Sequence, residues 1–174
     1  VITWSDGRKG AANNDIYTQR IDESGKALWE KDGTQICAAA DNQEKPQIVS
    51  SEAGSGVIIA WQDSRFGNVD IFAQKINLTG NAQWAKDGVS VCAFPYTQNN
   101  IRLISDGNNG AIIVWEDQRE EKTDIFAQRV YVNGQTAWKD NGSDICRALG
   151  EQKNPVITKL KGEEWLIAWE DDLG

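Results

Sequence analysis

The sequence contains no histidine and no methionine, and only three of its 174 residues are cysteine. The absence of histidine excludes histidine-based catalytic triads, histidine metal ligands and histidine acid–base chemistry. The absence of methionine means that the sequence does not begin at an initiator codon, so we expect a processed protein or a piece of a longer one. No apolar run approaches the roughly 20 residues of a membrane-spanning helix, and we expect no membrane-spanning segment.

Basic residues are outnumbered by acidic ones. The chain has 18 Lys and Arg residues against 26 Asp and Glu residues, which gives a formal net charge of −8. Binding to a nucleic-acid backbone needs clustered lysine and arginine, so we expect no nucleic-acid partner. The acidic balance is otherwise typical of a protein that is kept soluble by its net charge.

The three cysteines, Cys37, Cys92 and Cys146, lie 55 and 54 residues apart. This spacing is unlike the short spacing of a zinc site, and the odd number argues against a complete set of disulfides. Each cysteine instead occupies the same position of a repeat. We interpret it as a small apolar side chain in a buried strand.

The repeat itself is visible by eye: DIYTQRIDESGKALW begins at Asp15, DIFAQKINLTGNAQW at Asp70 and DIFAQRVYVNGQTAW at Asp124. A period of 20 to 50 or so residues is the signature of arrays of one small structural unit. Three rows of residues mark the period of about 54 residues, and we assign them a structural role. They are Trp4, Trp61 and Trp115; Trp29, Trp84 and Trp138; and Asp15, Asp70 and Asp124.

Each unit is predicted to form four strands, A to D, and the second unit shows them best. Strand A is predicted over Pro46–Ser51, and strand B over Val57–Trp61, whose continuous apolar run predicts burial on both faces. Strand C is predicted over Asp70–Ile76. Strand D is predicted to begin with NAQW (81–84) and, after AKDG, to be completed by Val89–Cys92. No stretch has a useful helical period.

Four antiparallel strands per unit without helices favour an all-β fold built from β-propeller blades. A β-helix and a string of small β domains are the alternatives. The predicted segments are a partial blade with strands B, C and D (1–45), two full blades (46–100 and 101–154) and a partial blade with strands A and B (155–174). Propellers have typically 4–8 blades. We therefore expect an incomplete propeller, completed by further blades of the same parent chain or by neighbouring chains.

The stretch RIDESGKALWEKDG, from Arg20 to Gly33, resembles the Gly-x-x-x-Trp signature of quinoprotein-type propellers. Its DESG turn also resembles the Asp-box of sialidase-type propellers. Both resemblances are local and both depart from the pattern. An Asp-box has Gly and Trp three apart, whereas Gly25 and Trp29 are four apart, and the quinoprotein pattern has one more residue between its Asp and Gly than Asp22 and Gly25 show.

The whole unit runs Trp-x-Asp-x-Arg, Asp-Ile-Tyr/Phe-x-Gln, Gly-x-x-x-Trp, Asp/Asn-Gly and Cys. It is similar to a tandem repeat of large secreted or surface-anchored bacterial proteins that are predicted to form β-propellers. This resemblance covers nearly the whole chain. It implies a propeller fold and an extracellular or cell-surface location, but no settled activity.

A charged pair follows strand B in three units, whereas the fourth copy has Leu173 at the arginine position. One interpretation is a ring of charges that grips an anionic or sugar ligand. The other is a turn in which Asp accepts backbone N–H groups and Arg pairs with the aspartate that begins strand C. Recurrence of the pair from unit to unit favours the second interpretation. The pairs are Asp6 and Arg8, Asp63 and Arg65, and Asp117 and Arg119.

Calcium is the one cofactor that we considered, because hard cations bind several oxygen ligands of a short loop. In the second unit the oxygen donors would be Asp63, Asn68 and Asp70. The spacing matches no known calcium loop and the loop length changes between units. We therefore expect no cofactor and no metal, with calcium as the alternative.

Three aromatic residues, Phe66, Phe94 and Tyr96, have no counterpart in the other units. They lie in the loops between strands B and C and between strands D and A, and in a propeller these loops emerge on the same face. We expect this face to bind a glycan or another surface protein. The candidate binding residues are Arg8, Arg65, Phe66, Phe94, Tyr96 and Arg119.

The sequence shows no catalytic constellation, since it has no Gly-rich phosphate loop before a helix and no recognisable serine nucleophile. We expect a non-catalytic binding or structural module of a larger bacterial surface or secreted protein. The alternatives are part of a propeller-fold hydrolase that acts on polysaccharide, with carboxylates from other blades, and a quinoprotein-like propeller, either an oxidoreductase or a scaffold.

Overall fold

The computed structural model describes residues 1–10 and 13–172. The described chain is all-β, which confirms the predicted class, and a 3₁₀ turn at Glu52–Gly54 is its helical element. The thirteen strands are β1 (Ile2–Asp6), β2 (Asp15–Gln19), β3 (Thr34–Cys37), β4 (Gln43–Ser50), β5 (Val57–Asp63), β6 (Asp70–Ile76), β7 (Val89–Cys92), β8 (Gln98–Ser105), β9 (Ala111–Asp117), β10 (Asp124–Val130), β11 (Ser143–Cys146), β12 (Glu151–Lys159) and β13 (Trp165–Asp172). Within residues 1–10 and 13–172, no helix is long and apolar enough to cross a membrane.

The strands form four antiparallel sheets in which neighbours in the chain are neighbours in space. The first sheet is β1-β2-β3, the second β4-β5-β6-β7, the third β8-β9-β10-β11 and the fourth β12-β13. The strands β4, β8 and β12 contact one another from sheet to sheet. The sheets therefore stack in chain order, with their first strands on one side of the stack.

The second sheet tests the predicted strands most directly. β6 has the predicted bounds, and β5 continues two residues further, to Asp63. β7 covers the second part of the predicted strand D, whereas its first part, residues 81–84, contributes an isolated bridge between Ala82 and Ile76. β4 begins at Gln43, three residues before the predicted start at Pro46. The strand passes through an irregularity between Glu44 and Gln47, where Lys45 has a φ of 49°. A bulge of this kind lets a strand continue past a residue that leaves the ladder.

The second strand of each complete sheet, β5 or β9, is buried on both faces, as its apolar run predicts. In β5, Ile58 and Ala60 pack into the core between the second and third sheets. Val57, Ile59 and Trp61 point the other way, into the core between the first and second sheets. Alternate residues of one strand thus fill two cores, because successive side chains of a strand point to opposite faces.

Tryptophan side chains join the first sheet to the second and the second sheet to the third. The indole N–H of Trp29 donates to the carbonyl of Leu78 at 3.1 Å, and that of Trp84 donates to the carbonyl of Val132 at 2.9 Å. The Trp84 ring lies against Gly134, where a Cβ atom would come within 2.9 Å of it. Gly134 also has a φ of 86°, so the hairpin glycine permits both the turn and the close approach of the ring.

Backbone hydrogen bonds provide a second connection between sheets. The first residue of β4, Gln43, donates its backbone N–H to the carbonyl of Asn14 in the preceding sheet at 2.7 Å. Gln98 donates in the same way to Val69 at 2.8 Å. The third sheet and the fourth are joined by Gln152 N–H and the carbonyl of Thr123, also at 2.8 Å.

Candidate functional site

The Trp-x-Asp-x-Arg motif forms a compact charged cluster at the ends of β1, β5 and β9. In the second sheet, Asp63 is completely buried and accepts a hydrogen bond from the Trp61 indole N–H at 2.8 Å. The Arg65 guanidinium donates to both carboxylate oxygens, through Nε at 2.8 Å and through an Nη atom at 2.6 Å. Bidentate geometry of this kind is the strong form of an arginine–carboxylate pair.

Arg65 also connects this cluster to its surroundings. Its guanidinium lies 3.9 Å from the centre of the Phe72 ring and donates to the carbonyl of Asp87 at 2.8 Å. The same group reaches the sulfur of Cys37, in the first sheet, at 3.2 Å. Arg119 repeats these contacts in the third sheet.

The arginines therefore support the turn interpretation, but their partner is not the predicted one. We expected Arg65 to pair with Asp70, at the start of strand C, and this was wrong. Arg65 turns back onto Asp63, two residues before it, and its backbone N–H donates to the same carboxylate at 3.1 Å. The shortness of the loop makes this local pairing the nearest way to satisfy a fully buried carboxylate.

The pair of Asp6 and Arg8 is more exposed than the corresponding pair of the second sheet. Its side chain is 38% exposed, against 13% for Arg65. It pairs with Asp6 and lies 3.9 Å from the centre of the Tyr17 ring. The guanidinium of Arg8 holds the pKa of Asp6 far below its ordinary value, with the Trp4 indole as a second donor.

The unique aromatic residues lie on one face of the sheet stack, which we call the loop face: residues 64–69, 93–97, 118–123 and 147–150. The side-chain amide of Asn68 donates to the carbonyls of Phe94 and Tyr96 at 3.3 and 2.9 Å, which ties the first two of these loops together. Phe66 is 65% exposed and Tyr96 is 66% exposed. The Arg119 guanidinium lies 4.5 Å from the Phe94 ring centre and 3.8 Å from that of Phe126.

An open groove of about 430 Å³ crosses the loop face beside Tyr96. The residues that line it are Tyr96, Thr97, Gln118, Glu120, Glu121, Lys122, Thr123, Glu151 and Lys153. A second groove, of about 360 Å³, shares residues 120–122 with it. The groove walls thus offer one exposed aromatic ring among hydroxyl, amide, ammonium and carboxylate groups.

The charges of the groove are partly paired. Lys153 Nζ lies 2.8 Å from Glu151, and this bond lowers the pKa of Glu151 and raises that of Lys153. A general acid needs a raised pKa. Glu151 is therefore held in its charged form and is suited to accept hydrogen bonds from a ligand.

Three aspartates begin the third strand of their units and are almost fully buried. Asp15, Asp70 and Asp124 are 0%, 1% and 4% exposed. Burial raises the pKa of Asp70 to about 6, although the Asn68 amide opposes this by donating to its Oδ1. Its second oxygen, Oδ2, has no hydrogen-bond partner among the described residues.

The burial of a row of three glutamines was not predicted from the sequence. Gln43, Gln98 and Gln152 are completely buried, and the side-chain oxygen of each lacks a hydrogen-bond donor in the described part of the chain. Their recurrence at the repeat spacing was the available signal. It did not reveal that buried amide oxygens lie beside the loop face.

The structure separates the candidate binding residues into two groups. Phe66, Phe94 and Tyr96 expose ring surface on the loop face. The guanidinium groups of Arg65 and Arg119 are engaged by the scaffold, although Arg119 also contacts Phe94.

The chain matches no protein-family model and no curated protein sequence.

Proposed function

We propose that the protein is a non-catalytic, extracellular β-propeller module of a larger bacterial surface or secreted protein, and that its loop face binds a glycan. The observation that carries the proposal is the position of the unrepeated aromatic residues. Exposed Tyr96 stands on the wall of a polar groove, and exposed Phe66 lies on the same face of a scaffold that otherwise repeats.

The propeller interpretation is supported by the stacking of the sheets. Each complete sheet is a four-stranded antiparallel meander, and the first strands of successive sheets contact one another. In a propeller, the innermost strands of the blades surround a central channel. We assign β4, β8 and β12 to this inner position and β7 and β11 to the outer edge.

The extracellular assignment rests on the resemblance of the repeat to secreted and surface-anchored bacterial proteins. Further blades, from the parent chain or from neighbouring chains, would complete the ring. A partner protein at the loop face is the second kind of ligand in this setting. We favour a glycan because aromatic rings stack on the apolar faces of sugar rings while charged and amide groups bind the hydroxyls, and the groove offers both.

The test is binding of the 174-residue chain to a panel of bacterial and plant polysaccharides by glycan array and affinity electrophoresis. We expect Tyr96→Asn to weaken binding roughly tenfold, which corresponds to about 1.4 kcal/mol. Asparagine is the appropriate substitution because Tyr96 has a φ of 78°, a conformation that asparagine tolerates better than most residues.

Tyr131→Ala is the matched control. Tyr131 is 43% exposed and lies in the hairpin after β10, at the end of that strand opposite to the loop face. We expect this variant to bind like the unsubstituted chain. Equal loss in both variants, or no binding to any polysaccharide together with capture of a protein ligand by the same face, would overturn the glycan assignment.

The hydrolase alternative is less well supported. A glycosidase needs one carboxyl group that stays protonated to act as an acid. The pKa of Glu151 in the groove is lowered by Lys153, and Asp70, whose pKa burial raises, is 1% exposed and does not line the groove. A quinoprotein-like dehydrogenase would need cofactor ligands. No observation on the described loop face favours that activity over binding.

A further inference from the structure

Two further grooves adjoin the groove beside Tyr96 and continue it in both directions. The second groove shares residues 120–122 with it, and a third, of about 370 Å³, shares Glu151 and Lys153 with it. The third groove is otherwise lined by residues 170–172, at the end of β13. An extended ligand bound beside Tyr96 can therefore reach the walls of all three grooves.

The walls of the three grooves carry more acidic than basic side chains. The basic side chains are Lys122, Arg147 and Lys153. The acidic side chains are Glu120, Glu121, Asp124, Glu151, Glu170, Asp171 and Asp172. The surface that a ligand meets there is consequently negative.

The three basic side chains act on carboxylates of the same walls. Arg147 forms an ion pair with Glu120. Lys153 Nζ lies 2.8 Å from Glu151, and Lys122 also helps to lower the pKa of the Glu151 carboxyl. An anionic ligand would have to compete with these carboxylates for every cation of the grooves. Sulfated and uronic-acid polymers therefore fit this surface poorly.

Other carboxylates of the walls keep their negative charge uncompensated. Glu121 is exposed and lines both the first and the second groove, and no ion pair of the described residues involves it. Glu170 receives a hydrogen bond from Asn154 Nδ2 at 2.9 Å, and Asp171 receives one from Gln152 Nε2 at 3.3 Å. A neutral amide donor leaves the charge of a carboxylate in place, so these positions attract a cation.

Apolar side chains stand on the same walls. Tyr96 is 66% exposed beside the first groove, and Leu149 is 82% exposed beside the second. A sugar ring has an apolar face and polar substituents at its edge. It can therefore lie against either side chain while a charged substituent at its edge reaches a carboxylate.

We propose, in an inference that rests on the function proposed above, that the glycan is cationic: a polymer of amino sugars whose amino groups are free rather than acetylated. Tyr96 and Leu149 contact the ring faces, and Glu121, Glu170 and Asp171 attract the ammonium groups. Electrostatic attraction extends over about 8 Å at physiological ionic strength. Carboxylates that line the grooves without touching the polymer thus also contribute.

The experiment compares two oligomers of equal length, one of glucosamine and one of N-acetylglucosamine, by isothermal titration calorimetry at low salt and about pH 5.5. At this pH sugar amines are protonated, and glutamates of ordinary pKa are ionised. We expect the glucosamine oligomer to bind about tenfold more tightly, the combined effect of a few exposed ion pairs. Added NaCl should reduce this preference, because salt screens exposed charges.

Three charge variants locate the attraction. Glu121→Gln should lower the ratio of the two affinities about threefold, and Lys122→Gln, which removes a positive charge from the same loop, should raise it. Glu23→Gln is the matched control, because Glu23 is exposed in the hairpin after β2, at the end of that strand opposite to the loop face. It makes the same change in net charge and should leave the ratio unchanged.

Tyr96→Asn separates the ligand class from the glycan-binding function itself. The loss of ring stacking should weaken the binding of both oligomers, whereas the ratio of their affinities should stay the same. Near-UV circular dichroism checks that each variant is folded.

Equal binding of the two oligomers, or tighter binding of the acetylated one or of polygalacturonate, would overturn the cationic class and leave glycan binding intact. Absence of binding to these oligomers and to every polysaccharide would overturn the glycan-binding function. An equal change of the ratio in Glu121→Gln and Glu23→Gln would show attraction to the net charge of −8 rather than to the grooves, and would overturn the proposal. Tighter binding of oligolysine than of either sugar would do the same in favour of a basic peptide.

Discussion

At the scale of single residues, the buried carboxylate of Asp63 accepts hydrogen bonds from both Trp61 and Arg65. Removing it with Asp63→Ala leaves the Arg65 guanidinium and the Trp61 indole N–H without their partner. Breaking a buried ion pair by removing one member costs about 3–5 kcal/mol. We expect a loss of this size in the free energy of unfolding, measured by urea denaturation.

The repeat supplies controls for this substitution. Asp117→Ala should cost about as much as Asp63→Ala, because Asp117 is also fully buried and pairs with Arg119 at 2.6 Å. Asp6→Ala should cost clearly less, because the side chains of Asp6 and Arg8 are 18% and 38% exposed. Equal losses at all three positions would show that burial does not set the strength of this pair.

The cysteines are predicted to differ in reactivity. Burial raises the pKa of Cys37 and that of Cys92 to about 12, despite a nearby arginine that favours the thiolate. At pH 8 about one thiol in ten thousand is then ionised, and the thiolate is the reactive form. Cys146 is only partly buried.

We therefore expect one thiol per native chain to react with Ellman's reagent at pH 8 and three to react in denaturant. Cys146→Ser should remove the native reaction. Rapid labelling of Cys37 or Cys92 in the native protein would mean that the first three sheets open locally on the time scale of the assay.

At the scale of strands, protection from solvent differs between the middle and the ends of the stack. Every residue of β5, β6 and β9 is buried, whereas no residue of β1 or β13 is fully buried. Backbone amides exchange through local opening, which costs more free energy where apolar contacts are dense. Hydrogen exchange of the 174-residue chain should therefore be slowest in the three buried strands and fastest in β1 and β13.

The same experiment has a clear contrary result. If β13 exchanged as slowly as β9, a further strand would cover its free edge in solution, and the native mass would show whether a second copy supplies it.

The contact between Trp84 of the second unit and Gly134 of the third predicts that Gly134→Ala speeds exchange in β6, because the added methyl would collide with Trp84.

The strands themselves could be predicted well from the sequence, for a physical reason. A strand buried on both faces, such as β5, must be apolar throughout, and its hairpin neighbours follow from turn residues at fixed offsets. The start of β4 could not be predicted, because the bulge at Lys45 depends on a backbone conformation that the side-chain pattern does not encode.

At the scale of the whole molecule, the all-β class and the stacking of similar units follow from the repeat. The exposed aromatic residues of the loop face could also be identified from the sequence, because residues that do not recur are not needed to build the repeated unit. The groove beside Tyr96 could not be predicted. It depends on the path of the loop backbone, and Tyr96 adopts a positive φ that its side chain does not favour.

The backbone hydrogen bonds between sheets, such as the one from Gln43 N–H to the carbonyl of Asn14, have an evolutionary consequence. A joint made of main-chain atoms is the same whatever side chains flank it, because every residue except proline carries the same donor and acceptor. A gene segment that encodes one unit can therefore be duplicated or deleted without a new interface having to arise by mutation. The duplicated copies can then diverge in their loops. The array can change its length while backbone hydrogen bonds hold each new unit in register with its neighbours.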